Sequence, residues 1–343
     1  MFLCRLTGFM KAVDFSVMLR HCVLCPRQCG VDRAGGRTGF CRAGSSVEIF
    51  RCASHHGEEP PISGKNGSGA IFFSRCTLRC LYCQNYPWSQ EGAGGRMDGD
   101  GLAAILNELY LQGCHNWNLV SPTPWLPMIY PALRKLRRAG RSLPVVYNTS
   151  GYESLQTLRA LENTVDIYLT DLRYASEDTA RNGSSAPDYV KNSRAALLEM
   201  WRQKGALKTS PAGIAVSGTI CRILVLPGLA EEACENVRWL AEEIGTDIAL
   251  SLMAQYTPAY KAENMPGWNR VISRDEYGRV CSAAEEKGFV NGWIQDYNDR
   301  TSSELVGFNM PAMEEKAEDK EILNRKSEIR NQKLEERQHE RTQ

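Results

Sequence analysis

The stretch GAIFFSRCTLRCLYCQN, residues 69–85, joins a short apolar segment directly to three closely spaced cysteines. Its first six residues, 69–74, have the length and the apolar character of a buried strand. Cys76, Cys80 and Cys83 follow, with three and then two residues between them. The sequence therefore predicts a strand that ends at a cysteine-rich loop.

Apolar segments alternate with amphipathic segments from this strand to about residue 300. Further strands are predicted at 116–121, 144–148, 165–170, 220–226, 248–253 and 289–294. Helices are predicted at 99–112, 127–138, 153–162, 187–204, 230–243 and 274–287. The alternation is typical of βαβ units and predicts an α/β fold with a parallel sheet covered by helices. An open doubly wound sheet and a closed or partial barrel share this pattern, and both collect ligands at the carboxyl ends of their strands.

Composition sets the class of protein. The 343 residues are 43% hydrophobic and 24% charged, as in an ordinary globular protein, and the net charge of +1 predicts no general attraction to nucleic acid. We expect neither a signal peptide nor a membrane span, because charged residues such as Arg5 and Lys11 interrupt the apolar residues of the N-terminus and no long apolar run follows. Thirteen cysteines without these features favour the reducing cytoplasm, where clustered cysteines bind metals.

Three zones divide the chain. Residues 1–66 form an N-terminal cysteine-rich segment, and residues 67–300 form the α/β domain. Residues 301–343 are dense in Glu, Lys and Arg and predict a charged tail that is either helical or disordered.

The spacing of Cys76, Cys80 and Cys83 indicates metal binding. Thiolate sulfur is the soft ligand of iron–sulfur clusters, and three such ligands leave one iron open. An open position on a metal is typical of chemistry rather than of scaffolding. Three-quarters of a zinc site and simple buried thiols are the alternatives. The position of the motif after the first strand of a parallel sheet favours the cluster.

A second group of cysteines, Cys22, Cys25, Cys29 and Cys41, precedes the domain with spacings of two, three and eleven residues. Four soft ligands without an open position predict a closed site that holds zinc or an auxiliary iron–sulfur cluster. A reduced loop without metal is the alternative. The other cysteines are scattered, and we expect ordinary buried thiols at Cys4, Cys52, Cys114, Cys221, Cys234 and Cys281.

The three-cysteine spacing, with Tyr82 before the third cysteine, resembles the signature of the radical S-adenosylmethionine (SAM) superfamily. Flanking stretches such as HHGEEPPISG (55–64), NWNLVSPTP (116–124) and VDIYLTDLRY (165–174) resemble an uncharacterised family similar to pyruvate formate-lyase activating enzyme. The resemblance runs from about Cys22 to Asp296. It implies a partial (β/α)6 barrel in which Cys76, Cys80 and Cys83 hold a [4Fe–4S] cluster whose open iron binds SAM.

The same resemblance implies which residues contact SAM. They are Tyr82, Ser121, Thr123, Asn148, Ser150, Asp171, Arg173 and Arg222. Residues 121–124 read SPTP where better-known members have a glycine-rich GGE, and Arg173 stands where Lys is usual. Ile223 stands where relatives often have His. Gly151 is expected to form a tight turn after the strand at 144–148.

The resemblance also implies a reaction, namely reductive cleavage of SAM to a 5′-deoxyadenosyl radical that abstracts hydrogen. One option is activation of a glycyl radical enzyme, and another is modification of a small molecule or a different macromolecule. An electron donor such as flavodoxin or ferredoxin is the expected partner, with no membrane or nucleic-acid partner. The alternative from another class is a non-enzymatic iron–sulfur protein for electron transfer, although such clusters normally have four protein ligands.

Overall fold

The computed structural model describes residues 14–297 of the chain. Its strands are β1 Val47–His55, β2 Ser68–Phe73, β3 Gly95–Met97, β4 Trp117–Val120, β5 Val145–Thr149, β6 Ile167–Asp171, β7 Lys208–Thr209, β8 Ala215–Leu224, β9 Ala249–Met253 and β10 Gly292–Ile294. Its α-helices are α1 Val17–Arg20, α2 Pro60–Ser63, α3 Tyr86–Ser89, α4 Gly99–Leu111, α5 Leu126–Arg138, α6 Leu155–Leu161, α7 Glu177–Ser184, α8 Tyr189–Lys204, α9 Ala230–Glu243 and α10 Arg274–Glu286. The predicted charged tail, 301–343, and Cys4 lie outside the described residues.

The main sheet has the strand order β10-β9-β8-β6-β5-β4-β2-β1-β3. Neighbouring strands from β2 to β10 pair in parallel, whereas β1 pairs antiparallel with both β2 and β3. The prediction of a parallel α/β sheet is therefore confirmed. The parallel strands follow one another in chain order without reversal, whereas a doubly wound sheet reverses its order at a switch point.

The longer helices, from α4 to α10, pack against one face of this sheet. Leu119, Tyr147 and Tyr168 project from that face and lie in one buried cluster with residues of α4, α5, α6 and α8. Cys221 and Leu250 on β8 and β9 lie in a second cluster with α8, α9 and α10. Because side chains alternate along a strand, the residues between these project from the opposite face, which we call the inner face.

The chain itself covers part of the inner face. Residues 57–63, here called the plug segment, include helix α2, and Ile62 is completely buried in this segment. Ile62 packs with Val146, Ile167 and Ile220, which project from β5, β6 and β8. The side-chain amide of Asn116 donates to the carbonyl of Ile62 at 2.8 Å. Burying one isoleucine side chain stabilises the fold by about 1.5–3 kcal/mol, so the plug segment is held firmly.

Strand β1 brings the plug segment to this face. It pairs antiparallel with β2 from Ile49 opposite Phe73 to His55 opposite Ser68. His55 therefore lies at the amino end of the parallel strands, and the chain continues from there into the plug segment. The sequence analysis predicted no strand at 47–55, because Glu48 and Arg51 interrupt its apolar pattern. The structure thus joins part of the cysteine-rich segment to the sheet.

Short polar side chains fix several helix ends. Asp98 accepts from the backbone N–H of Gly101 at 2.9 Å and begins α4. Ser273 and Glu276 form a capping box at the start of α10, in which each side chain accepts from the backbone of the other. Within residues 14–297, no helix combines the length and apolar character needed to cross a membrane.

Candidate active site

A cavity of about 580 Å³ opens on the inner face at the carboxyl ends of the parallel strands. This is the edge at which ligands collect in parallel α/β folds. Six of the residues predicted from the sequence line it, namely Tyr82, Cys83, Asn148, Asp171, Arg173 and Arg222. Glu58 and Glu59 of the plug segment also line it, and the sequence analysis did not select them.

The buried sulfur of Cys80 accepts two hydrogen bonds, one of them from Arg173 in the cavity wall. The hydroxyl of Ser184 donates to it at 2.9 Å, and Nη1 of Arg173 donates at 3.1 Å. The cysteine loop is fixed by backbone bonds to α7, in which the N–H of Arg79 donates to the carbonyl of Ser184 at 3.0 Å. Donors of this kind stabilise sulfur that carries negative charge.

Cys76 and Cys83 also have hydrogen-bond partners. The backbone N–H of Leu78 donates to the sulfur of Cys76 at 3.4 Å, and a hydrogen bond of 3.2 Å joins the sulfur of Cys83 to the hydroxyl of Ser89. Burial, and then repulsion from Cys80, raise the pKa of Cys76 to about 12 and that of Cys83 to about 11. Since the charge of Cys80 acts on both other thiols, the three cysteines lie in one neighbourhood, although within residues 14–297 they are not arranged as a group that would hold a metal ion.

Asp171 lies between two arginines in the wall of the cavity. Nε of Arg222 donates to its Oδ1 at 2.8 Å, and Nη2 of Arg173 donates to its Oδ2 at 2.7 Å. Burial alone would raise the pKa of Asp171, but the two guanidinium groups outweigh burial and hold it below its ordinary value. Asp171 is therefore a carboxylate that fixes the direction of both arginines.

Arg222 extends this network to the plug segment. Its Nη1 donates to Glu58 at 3.3 Å, and its Nη2 donates to the amide oxygen of Asn148 at 2.7 Å. Glu58 also accepts from the amide nitrogens of Asn118 at 3.0 Å and Asn148 at 3.2 Å. Burial raises the pKa of Glu58, and Arg222 opposes that rise.

Glu59 is the neighbour of Glu58 and has far fewer partners. Its side chain faces Ser251. Its Oε2 has no hydrogen-bond partner, although the residue is buried, with only 9% of its surface exposed. Burial raises its pKa, which Arg222 only partly offsets. Two adjacent carboxylates in HHGEEPP, next to a turn-forming proline pair, were the available sequence signal.

Tyr82 forms part of the cavity wall beside the cysteines. Its ring stacks on Trp268, with centroids 5.4 Å apart, and its hydroxyl shares a 2.9 Å hydrogen bond with the hydroxyl of Tyr174. Only 4% of Tyr82 is exposed. Its position is thus fixed by packing from behind and by hydrogen bonding at its polar end.

Three predicted contact residues do not line the cavity. The hydroxyl of Thr123 donates to Glu153 at 2.6 Å on the helix-covered side. Ser121 has a left-handed backbone, with φ of 57°, and its N–H donates to the carbonyl of Asn148. The carbonyl of Ser150 accepts from the hydroxyl of Tyr189 at 2.7 Å.

Gly151 makes the turn after β5, as the sequence predicted. Its φ is +81°, and a Cβ at this position would lie 2.4 Å from the carbonyl oxygen of Asp171. Any side chain would therefore push the end of β5 away from the end of β6. Glycine is required here to keep Asp171 at the edge of the cavity.

Glu153 is a buried carboxyl that the sequence analysis did not select. It accepts from Thr149 at 2.5 Å and from Tyr147 at 3.3 Å, in addition to Thr123. Burial raises its pKa to about 7, and the three hydroxyl donors only moderate that rise. A glutamate at the end of the otherwise uncharged stretch YNTSGYE was its sequence signal.

The N-terminal cysteines lie near one another. Burial raises the pKa of Cys25, and the charges of Cys41 and Cys22 add to the rise. Cys29 has a comparable effect on Cys41, whose pKa burial also raises. Within residues 14–297, however, no three His, Cys, Asp or Glu side chains are arranged to hold a metal ion. Of the scattered cysteines, Cys114, Cys221 and Cys234 are buried as predicted, whereas Cys52 and Cys281 are half-buried.

Arg27 ties the N-terminal cysteine segment to the loop of Cys76, Cys80 and Cys83. Its Nε donates to the carbonyl of Thr77 at 2.7 Å, and its Nη2 donates to the carbonyl of Ser185 at 2.7 Å. Its guanidinium carbon lies 3.3 Å from the ring centroid of Phe40. A change in the position of the N-terminal cysteine segment would therefore also shift the loop of Cys76, Cys80 and Cys83.

Comparisons with known proteins yield few relatives. No family model matches the chain. It is 26% identical over 275 residues to an uncharacterised protein, MJ0674, of Methanocaldococcus jannaschii, an alignment that covers 78% of this chain and 75% of that protein.

Solved structures show weak likenesses. SuiB of Streptococcus suis, also solved bound to S-adenosylmethionine, is 13% identical with a TM-score of 0.43, over 64% of this chain and 47% of that one. The structure of native anSMEcpe with bound AdoMet is 12% identical with a TM-score of 0.41, over 62% of this chain and 57% of that one. This chain thus spans about half the length of these two, and likenesses at this level do not tell what it binds.

Proposed function

We propose that this protein is a radical SAM enzyme, in which Cys76, Cys80 and Cys83 hold a [4Fe–4S] cluster next to the cavity. The observation that carries the proposal is the spacing of the three cysteines in a loop that follows β2 at the carboxyl edge of a parallel sheet, with Cys83 lining a cavity that holds buried charges. We also propose that the sheet, whose strands follow chain order, forms a partial (β/α)6 barrel.

The chemistry of the donor set fits an iron–sulfur cluster. Thiolates are its ligands, and the donors from Arg173 and Ser184 would stabilise the sulfur of Cys80 in its charged form. Cys83 lines the cavity, so a cluster held by these three residues would border the space where a ligand binds. When bound, the cluster would supply the electron that splits SAM into methionine and a hydrogen-abstracting 5′-deoxyadenosyl radical.

The residues of the cavity fit the polar end of SAM. Arg222 and Arg173 present guanidinium groups that would bind a carboxylate, and Asp171 keeps both oriented. Asn148 adds an amide whose oxygen already accepts from Arg222. Tyr82, held by Trp268, would shield this end of the site from water.

Further parts of the proposal follow from the resemblance. A one-electron donor of the flavodoxin or ferredoxin type would reduce the enzyme in the cytoplasm. The hydrogen donor would be the glycine of a glycyl radical enzyme, or else a small molecule. Cys22, Cys25, Cys29 and Cys41 would form a closed second site for zinc or an auxiliary cluster.

Anaerobic reconstitution tests the central proposal. Protein with iron and sulfide bound should release 5′-deoxyadenosine when given SAM and a strong reductant. Cys80→Ala should abolish this release and lower the iron content, whereas Cys234→Ala, a buried thiol on α9, should do neither. Release that persists in Cys80→Ala would overturn the proposal. A glycyl radical signal on candidate partner enzymes would then separate the activating role from small-molecule chemistry.

A further inference from the structure

The charges that line the cavity do not balance. In the described part of the chain, the carboxylates of Glu58, Glu59 and Asp171 line it together with the guanidinium groups of Arg173 and Arg222. His55 also lines it, and burial lowers the pKa of this imidazole, which therefore favours its neutral form. One carboxylate is left without a cation of its own.

Glu59 is that carboxylate. Neither arginine donates to Glu59, because Arg173 donates to Asp171 and Cys80, and Arg222 donates to Asp171, Glu58 and Asn148. The Oε2 of Glu59 accepts no hydrogen bond, although the side chain is nine-tenths buried and lines the cavity. A buried carboxylate oxygen without a donor is costly, so it points to a ligand that supplies one.

A second oxygen near Glu58 lacks a donor. Asn118 is fully buried and gives its amide nitrogen to the carboxylate of Glu58, which leaves the amide oxygen as the atom without a partner. Because these acceptor oxygens lack donors, they favour a ligand that supplies N–H groups over one that supplies a carboxylate. Of the two acceptors only Glu59 lines the cavity, whereas Asn118 is buried next to Glu58 outside the lining.

We propose that Glu59 binds a cationic, N–H-bearing group of the substrate, an amine or a guanidine, at the floor of the cavity. The inference rests on the proposed function, in which SAM occupies the same cavity, and binding of the amino group of SAM by Glu59 is the competing outcome. It narrows the substrate to a molecule, or a protein side chain, that carries a positive charge. Glu59 would hold that group while a more distant C–H bond faces the cysteine end of the cavity.

The test uses the full-length, anaerobically reconstituted protein and simple cations as probes. Methylammonium and guanidinium at millimolar concentration should raise the melting temperature of the wild type. Tetramethylammonium, which has charge but no N–H, and urea, which has N–H but no charge, should not. In Glu59→Gln the affinity for both active probes should fall by about tenfold or more, since a charged hydrogen bond is lost.

Two controls make the result decisive. Glu91→Gln, at an exposed position, should respond to the probes like the wild type. Without probes, Glu59→Gln should melt no lower than the wild type at pH 8, because the change removes a buried carboxyl oxygen that has no hydrogen-bond partner. A lower melting temperature would mean a structural role and would overturn the inference.

Equal responses of Glu59→Gln and wild type to the cations, or no response in either, would also overturn it. So would a loss of SAM binding in Glu59→Gln without a loss of cation binding, since Glu59 would then bind SAM. These readouts need no SAM cleavage. If the wild type never releases 5′-deoxyadenosine, the proposed function fails separately from the cation result.

Discussion

Arg173 donates from Nη1 to the sulfur of Cys80 at 3.1 Å. The same guanidinium donates from Nη2 to Asp171 at 2.7 Å, so one planar group connects the cysteine loop to the end of β6. A lysine has a single nitrogen on a flexible stem and cannot keep this two-sided geometry. The arginine, which the resemblance marked as a departure from the usual lysine, therefore has a specific structural role here.

Replacing Arg173 should shift the reduction potential of a cluster on this loop. A hydrogen bond from a cation to cluster sulfur stabilises the reduced, more negative state. Arg173→Gln removes the charge and should lower the midpoint potential by about 60 mV, which corresponds to about 1.4 kcal/mol for one electron. Arg173→Lys should give a smaller change. The measurement is a redox titration followed by electron paramagnetic resonance, without SAM.

Arg181→Gln on α7 is the control for that titration, because Arg181 is exposed and pairs with Asp178. Its potential should equal that of the wild type. If Arg173→Gln also keeps the wild-type potential, the bond to Cys80 has no electrostatic effect on the cluster.

Glu153 should make stability depend on pH. Its folded-state pKa is raised to about 7 from an ordinary value of 4.5, so the folded state holds a proton that the unfolded state releases. The stabilisation is fully present below pH 4.5 and is lost as the pH rises through 7. The shift corresponds to roughly 3 kcal/mol over that range. Urea unfolding at a series of pH values should show this fall in wild type.

Glu153→Gln should remove that part of the pH dependence, because an amide does not titrate. The difference between variant and wild type is the quantity to compare, since other groups titrate in the same range. Glu276→Gln serves as a contrast, because Arg270 holds the pKa of Glu276 down at about 2, outside this window. A constant difference between Glu153→Gln and wild type from pH 5 to 8 would contradict the raised pKa.

Much of the fold could be predicted because each parallel strand and each long helix carries its own periodicity. The strand predicted at 165–170 is Ile167–Asp171, and the helix predicted at 230–243 is Ala230–Glu243. Strand β1 and helix α7 escaped prediction because charged residues break their apolar patterns. Their places are set by long-range contacts, which periodicity does not record.

The site divides in the same way. Asp171 and Arg222 follow from a general rule, since both lie near strand ends that meet at one edge. Thr123 was expected there as well, but the short 3-10 helix at Thr123–Trp125 directs its hydroxyl to Glu153. Glu59 could not be foreseen, because its position depends on the insertion of the plug segment against the inner face.

Ile62→Ala should test whether the plug segment positions the site. Ile62 is completely buried against the inner face, so truncation leaves a cavity and should cost about 2–5 kcal/mol of unfolding free energy. Because Glu58 lies four residues away in the same segment and pairs with Arg222, SAM affinity should fall as well. Denaturant unfolding and SAM binding measured by calorimetry give the two values.

Leu240→Ala is the matched control, since Leu240 is equally buried but lies on α9, against the helix-covered face. It should lose a similar amount of stability and keep its SAM affinity. Equal losses of affinity in the two variants would mean that the plug segment has no special influence on the site.

Arg27→Met should loosen the cysteine loop while leaving Cys22, Cys25, Cys29 and Cys41 in place. Methionine keeps an apolar chain near Phe40 but donates to neither the carbonyl of Thr77 nor that of Ser185. Losing charged hydrogen bonds of this kind costs about 1.5–3 kcal/mol each, so a chelator should remove iron from the loop at least about tenfold faster. Arg37→Met, at an exposed position of the same segment, should release iron at the wild-type rate. Identical rates in the two variants would show that the N-terminal segment lies beside the loop without stabilising it.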